Sequence, residues 1–250
     1  MQLKEFFDKN PKAAIAFSGG VDSAYLLFAA IRCGVDVKAY YAKSPFQPEF
    51  ELEDAKRLAA ELSAGMEILT LDVLSDPQIA SNPPERCYHC KKRIFNAICE
   101  AAARDGYSLI LDGTNASDDP GDRPGMRALR ELSVRSPLRE CGLTKADIRR
   151  LSREAGLFTH DKPAYACLAT RIPTGELITA EKLEMTEKAE AFLFSQGFRD
   201  FRVRMMGEGA KLQLREEDFP LLATKRREIY DCLKKYYKSV VLDLEVRNEQ

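Results

Sequence analysis

The chain has no tryptophan and only two histidines, His89 and His160, in 250 residues. Histidine-based metal chemistry and a serine–histidine triad therefore have little material to work with. No apolar run reaches membrane length. The first residues, MQLKEFFDKNPK, are polar and helix-like and carry no signal-peptide core. A cytoplasmic location without a membrane partner is expected. The formal net charge is −1, so no global basic field argues for a nucleic-acid partner. Seven cysteines are an odd number at irregular spacing, which excludes a regular disulfide framework. A second CxxC or CxxH pair is missing, and with it a zinc ribbon. The glycine–lysine–serine ending of a Walker A loop and the GxGxxG dinucleotide fingerprint are missing too. There is no internal repeat and no low-complexity tract. Hydrophobic content of 45% and charged content of 31% describe an ordinary globule. Its length suits one large domain, or a core domain plus a small one.

What is present is organised around Ala13–Ser23. An apolar run ends at Phe17, and Ser18-Gly19-Gly20-Val21-Asp22-Ser23 leads at once into an amphipathic run. This reads as strand, tight turn, helix. The two glycines let the backbone approach a ligand closely. The next helix directs its free N–H groups and dipole into the turn, and Ser18 and Ser23 add hydroxyls. The result is an anion nest.

Strand patterns at Val37–Ala42, Met66–Leu71 and Ser108–Leu111 alternate with helical patterns at Glu49–Leu62 and from about Cys90 to Ala103. Residues 72–86, with three prolines, read as a loop or short broken turns. The alternation predicts an α/β fold with a doubly wound parallel sheet. Ligands bind beyond the carboxyl ends of strands in such sheets. The SGGVDS loop, Tyr41-Ala42-Lys43-Ser44 and Asp112-Gly113-Thr114-Asn115 all fall at such ends, and they predict one nucleotide site with three walls. Residues 116–128 read as a mobile substrate loop in which Arg123 and Arg127 are candidate anion clamps; a solvated surface loop is the competing reading. Thr144 and Asp147 predict a capped helix to Arg153. After an irregular stretch at 157–178, the pattern becomes α-β-β-α-β. Residues 1–160 are assigned to the nucleotide domain and 161–250 to a small α+β domain. Arg202 and Arg204 alternate along a strand and share a face that suits a phosphate, or an exposed face with salt bridges.

Cys87-Tyr88-His89-Cys90 admits four readings: a redox pair, a structural zinc site, two idle core cysteines, or two ligands of an iron–sulfur cluster completed by Cys167. Cys167 lies in a polar-flanked segment beside Arg171, where a thiolate would be stabilised. Cys33, Cys99, Cys141 and Cys232 read as structural.

The SGGVDS loop resembles the PP-loop of ATP pyrophosphatases. It is followed in order by PERCYHCKK (84–92), DGTN (112–115), RPG (123–125), KPAYACLATR (162–171) and FRVR (201–204). The set resembles the LarE-type ATP-dependent sulfur transferases over nearly the whole chain. That resemblance implies a PP-loop, adenine nucleotide alpha hydrolase-like fold. It implies adenylation of a carboxylate of pyridinium-3,5-biscarboxylic acid mononucleotide and its conversion to a thiocarboxylate, for the nickel-pincer nucleotide cofactor. Phe17 to Ser23, Tyr41, Ala42, Lys43 and Gly113 would then hold ATP, with Asp22 on Mg²⁺. Lys91 and Arg171 would neutralise phosphates. Arg123, Arg202, Arg204, Glu190 and Asp218 would meet the substrate. Cys87, Cys90 and Cys167 would hold a [4Fe-4S] cluster that relays sulfide from an unassigned donor. Alternatively, Cys167 gives up its own sulfur. A tRNA-thiolating PP-loop enzyme is the runner-up, and assembly as a homo-oligomer is expected.

Overall fold

A computed structural model describes residues 2–118 and 124–247. The chain divides into two compact units: Met1–Val73 with Glu85–Lys162, and Leu74–Pro84 with Pro163–Gln250. In chain order the elements are α1 (Leu3–Asp8), β1 (Lys12–Ala16), α2 (Val21–Arg32), β2 (Asp36–Lys43), α3 (Glu49–Glu61), β3 (Gly65–Thr70) and α4 (Pro77–Ala80). They continue with α5 (Arg86–Arg104), β4 (Ile110–Leu111), α6 (Pro124–Glu131), α7 (Pro137–Glu140) and α8 (Lys145–Glu154). Two 3₁₀ turns follow, Phe158–Asp161 and Leu168–Arg171. The chain ends with α9 (Ala180–Ser195), β5 (Arg202–Met206), β6 (Gly209–Gln213), α10 (Phe219–Leu233) and β7 (Ser239–Leu242). No helix among the described residues is long and apolar enough to cross a membrane.

In the first unit the strand order is β3-β2-β1-β4, and every pair is parallel. A parallel sheet must be covered on both faces, so its strands alternate between two cores rather than between core and water. Ala13, Ile15, Phe17, Ala39 and Tyr41 turn into one cluster with Leu26 and Leu27 of α2 and Leu52 and Ala55 of α3. Ala14 and Tyr40 turn the other way, onto Phe95, Ile98 and Ala102 of α5. The PP-loop, doubly wound reading holds. Because β1 has β2 on one side and β4 on the other, the order reverses at β1, which places a ligand crevice past the ends of β1 and β4.

Several boundaries differ from the sequence reading. The helix expected near Cys90 begins at Arg86, with Glu85 as its N-cap, so both cysteines of the CxxC lie in its opening turns. The second helix of the α-β-β-α-β pattern opens as a 3₁₀ turn, Glu216–Asp218, and becomes α-helical at Phe219. Residues 74–84 hold one short turn of helix, α4, within the stretch read as loop or short broken turns, and they join the second unit. There Gly175 and Ile178 donate their amides to the carbonyls of Asn82 and Ala80 at 2.8 Å. The Asn82 amide holds the carbonyl of Pro173 at 2.8 Å. The α8 cap forms as expected: the Asp147 amide donates to Thr144 Oγ1 and the Thr144 amide to Asp147 Oδ2.

The second unit carries the sheet β5-β6-β7, with β5–β6 antiparallel and β6–β7 parallel, packed with α9 and α10.

One close approach fixes the crevice. A Cβ placed on Gly113, just after β4, would lie 2.9 Å from the Ser23 amide nitrogen in the first turn of α2. Nothing larger than glycine fits without moving backbone. Gly113→Ala is expected to cost about 1–3 kcal/mol in a denaturant melt, the range for overpacking; a melt unchanged from wild type would contradict this contact.

Candidate nucleotide and sulfur-transfer site

The SGGVDS loop closes on itself. The Ser18 and Ser23 hydroxyls lie 3.1 Å apart, the Ser18 amide donates to Ser23 Oγ, and Ser23 Oγ donates to the Gly20 carbonyl. Gly19 has φ +73°, and its notional Cβ would lie 3.1 Å from the Ala55 side chain, so α3 presses the loop from outside. These bonds fix the turn that leaves the first amides of α2 without helical acceptors, as an anion nest requires. Phe17 and Val21 contribute backbone only; their side chains are in the core.

Asp22 follows the nest. Lys145 Nζ lies 2.6 Å from Asp22 Oδ2, and Asn115 Nδ2 donates to Oδ1 at 3.4 Å. Burial pushes the Asp22 carboxyl above the usual range, and Lys145 pulls against that. Both oxygens are thus engaged by side-chain donors of the protein. Sequence reasoning missed Lys145, and it placed Asn115 in the DGTN wall without seeing that it would hold Asp22. A signal existed for the lysine: a cation in the first turn of a helix opposes the dipole, so it calls for a specific anionic partner. Its own amide is held by Ser117 Oγ at 2.9 Å. In the DGTN loop Asp112 is buried and accepts from Ser136 Oγ at 2.6 Å, so it shapes the turn.

At the end of β2, the Tyr41 ring lies in the core. Its hydroxyl is buried with no hydrogen-bond partner among the described residues, and burial pushes the phenol up. Lys43 donates to the Gln47 carbonyl and pairs with Glu49 at 3.1 Å. Lys162, the last residue of this unit, is held between Asp54 at 2.7 Å and Glu51 at 3.2 Å.

Cys87 and Cys90 stand one helical turn apart in α5, on neighbouring positions of one face. Arg86 Nη2 lies 3.4 Å from Cys87 Sγ. None of the seven cysteines is in a disulfide. Within neither unit do three His, Cys, Asp or Glu side chains gather at a metal-binding point among the described residues. A cavity of about 340 Å³ lies between Cys87 and Lys91 on one side and Thr114 and Asp118 on the other, with Gly125 and Met126 of α6 in its wall. Lys91 runs along Gly125, whose notional Cβ would lie 3.0 Å from Lys91 Cδ. This explains the glycine of RPG. Arg127 stacks on the Tyr88 ring at 4.0 Å rather than standing free as a clamp. Arg123 lies outside the described residues.

In the second unit Cys167 caps the 3₁₀ turn Leu168–Arg171. Arg171 is fully buried and forks onto Glu190, with Nε to Oε1 at 2.7 Å and Nη2 to Oε2 at 3.1 Å. Glu190 also accepts from the Tyr165 hydroxyl and from the Val203 amide at 2.9 Å. Both residues were expected at the phosphates or the substrate; here they bond each other and brace the unit. Arg202 is buried and gives its donors to the carbonyls of Ala164 and Phe201 at 2.6 Å. Arg204 is half-buried and donates to Gln213 Oε1 and to the Thr170 carbonyl. Asp218 is half-exposed at the start of α10, and burial raises its carboxyl.

The sheet order, the loop after β1 and the glycine contact after β4 define a PP-loop α/β protein. No protein-family model matches the chain. An uncharacterized protein of Synechocystis is 37% identical over 216 residues, which cover 86% of this chain and 81% of that protein. A pyridinium-3,5-bisthiocarboxylic acid mononucleotide synthase of Lactiplantibacillus plantarum is 36% identical over 207 residues, which cover 82% of this chain and 75% of that enzyme. A tRNA-specific 2-thiouridylase of Frankia alni is 29% identical over 185 residues and matches 59% of this chain and 52% of that enzyme. The chain belongs to the LarE-type family of PP-loop sulfur transferases.

Two outcomes test this geometry. Lys145→Met leaves the Asp22 charge uncompensated beside the nest and is expected to weaken binding of inorganic pyrophosphate about tenfold, worth ~1.4 kcal/mol, with Lys145→Arg recovering most of it. Equal pyrophosphate affinity by calorimetry would remove Lys145 from the site. Glu190→Gln breaks a buried ion pair and is expected to cost about 3–5 kcal/mol in chemical denaturation; a loss below about 1 kcal/mol would mean that Arg171 has another anchor.

Proposed function

We propose that the protein is an ATP-dependent sulfur transferase that adenylates a carboxylate of a pyridinium-3,5-biscarboxylic acid mononucleotide and replaces an oxygen of that carboxylate with sulfur. The observation that carries this reading is the 340 Å³ cavity. It joins the CxxC helix to the loop after β4, and that loop touches the SGGVDS turn through Gly113. Activating loop and sulfur-bearing helix thus share a wall.

The chemistry follows from what each group offers. The nest and the first turn of α2 bind the ATP phosphates, and Mg²⁺ enters as their counter-ion, as part of the substrate. Lys145 and Asn115 hold Asp22 so that its charge does not repel the phosphates. A carboxylate oxygen attacks the α-phosphorus, and pyrophosphate leaves. Lys91, aimed into the cavity, meets the charge that develops. A sulfur nucleophile attacks the acyl carbon, and AMP leaves with the former carboxylate oxygen.

Two sulfur sources are compatible with the residues. Cys87, Cys90 and Cys167 are three thiols outside any disulfide, a donor set that fits a [4Fe-4S] cluster chemically. A cluster held by these thiols would supply sulfide from an exogenous donor. In the second route the Cys167 thiolate attacks, and its Cβ–S bond breaks with loss of the Cα proton, leaving dehydroalanine. The similarity to a tRNA thiouridylase supports a second substrate reading, which the net charge of −1 disfavours.

The test is AMP release under anaerobic conditions with the pyridinium dicarboxylate mononucleotide, with tRNA, and with neither. Release with the mononucleotide alone is expected, and release only with tRNA would overturn the proposal. Iron and acid-labile sulfide should accompany reconstituted wild type and fall in Cys90→Ala. Without iron in wild type, loss of one sulfur from Cys167 by mass spectrometry identifies the sacrificial route.

A further inference from the structure

The backbone that carries Cys167 is held from both sides by three different arginines. Arg202 Nη2 takes the Ala164 carbonyl at 2.6 Å. Arg171 Nη1 takes the Ala166 carbonyl at 3.2 Å. Arg204 Nη1 takes the Thr170 carbonyl at 2.8 Å. The Cys167 carbonyl itself caps the turn, accepting from the Thr170 amide and hydroxyl. An irregular segment has no ladder of its own to satisfy its carbonyls, so whatever donates to them sets its position.

The three arginines differ in how their charge is met. Arg171 has Glu190 at 2.7 Å. Among the described residues Arg202 has a 3.4 Å share in Asp200, which Arg247 holds more closely at 3.0 Å. The bonds of Arg204 go to an amide oxygen and a carbonyl. Burial and the charges of Arg171 and Arg247 push Arg202 down to about 10 and lower Arg204 as well. Guanidiniums in that condition bind an anion more strongly than a neutral carbonyl, because a charge-assisted bond replaces a neutral acceptor.

We propose that Arg202 and Arg204 are positioning residues for Cys167, and that a phosphate monoester taking their N–H donors releases the carbonyls of Ala164 and Thr170 and so frees the Cys167 segment. The thiol would then be held back until a phosphorylated molecule is seated on the arginines. The inference rests on the proposed function for the identity of that molecule, a pyridinium mononucleotide.

The test follows alkylation of Cys167 by iodoacetamide in the intact protein, read by peptide mass spectrometry, with Cys33 and Cys232 as internal references. Millimolar inorganic phosphate or nicotinamide mononucleotide is compared with chloride at matched ionic strength. In wild type either phosphate is expected to speed alkylation of Cys167 several-fold and to leave the reference cysteines unchanged. A response to the mononucleotide alone also supports the proposal, since the pyridinium end then adds affinity. Arg204→Gln is expected to be fast without anion and insensitive to it, while Arg204→Lys recovers part of the response. If Arg204→Gln loosens the reference cysteines too, Arg204→Lys decides: a phosphate response smaller than that of wild type with unchanged reference cysteines supports the proposal, and a full wild-type response overturns it. Wild type indifferent to both phosphates, or a phosphate response that survives Arg204→Gln, overturns the proposal. Neither ATP nor the dicarboxylate is used, so this result stands apart from the outcome of the AMP assay.

Discussion

The first unit depends on one constraint: two loops from adjacent parallel strands must meet with no side chain between them. Gly113 leaves room for the amide and Cα of Ser23, and Ser23 in turn holds the Ser18 amide. A methyl at that point would push the loop after β4 off the first turn of α2. Asn115 and Lys145 would then lose their hold on Asp22, and the cavity bounded by Thr114 and Cys87 would change shape. Sequence, topology and chemistry meet in that contact, because a strand order that reverses at β1 is what brings these two loops side by side.

The second unit has a different centre. Glu190 is an acid in a place that excludes water, and it satisfies a guanidinium, a phenol and a strand amide at once. A buried carboxylate persists only when its oxygens are fully used. Here they tie α9 to β5 and to the turn that follows Cys167. The Tyr165 ring, beside both Arg171 and Arg202, adds a cation–π contact to each.

Much of the fold was legible in the sequence because its signals are local. Apolar runs alternating with helical patterns marked the strands of the first unit, and Thr144 with Asp147 marked the start of α8. The SGGVDS, CxxC and DGTN stretches were legible as motifs, and the structure brings all three into the first unit. What stayed hidden depends on partners distant in the chain. Nothing near Arg171 or Glu190 in sequence announces that each neutralises the other in a dry interior. The alternation of Arg202 and Arg204 was visible, but the Ala164 and Thr170 carbonyls they hold lie more than thirty positions earlier. The start of α5 was misjudged for a local reason: prolines 83 and 84 read as a break, whereas they lead directly into the N-cap at Glu85.

The excursion of residues 74–84 has a consequence for how this protein can change over generations. The polypeptide crosses from one compact body to the other at 73/74, 84/85 and 162/163. A body built from two separated stretches of chain cannot be lifted out as a cassette by one recombination or one cut. Shuffling the second unit onto another nucleotide-binding scaffold would leave α4 and Asn82 behind, and with them the hydrogen bonds that Gly175 and Ile178 require. The two bodies are therefore bound to be inherited together.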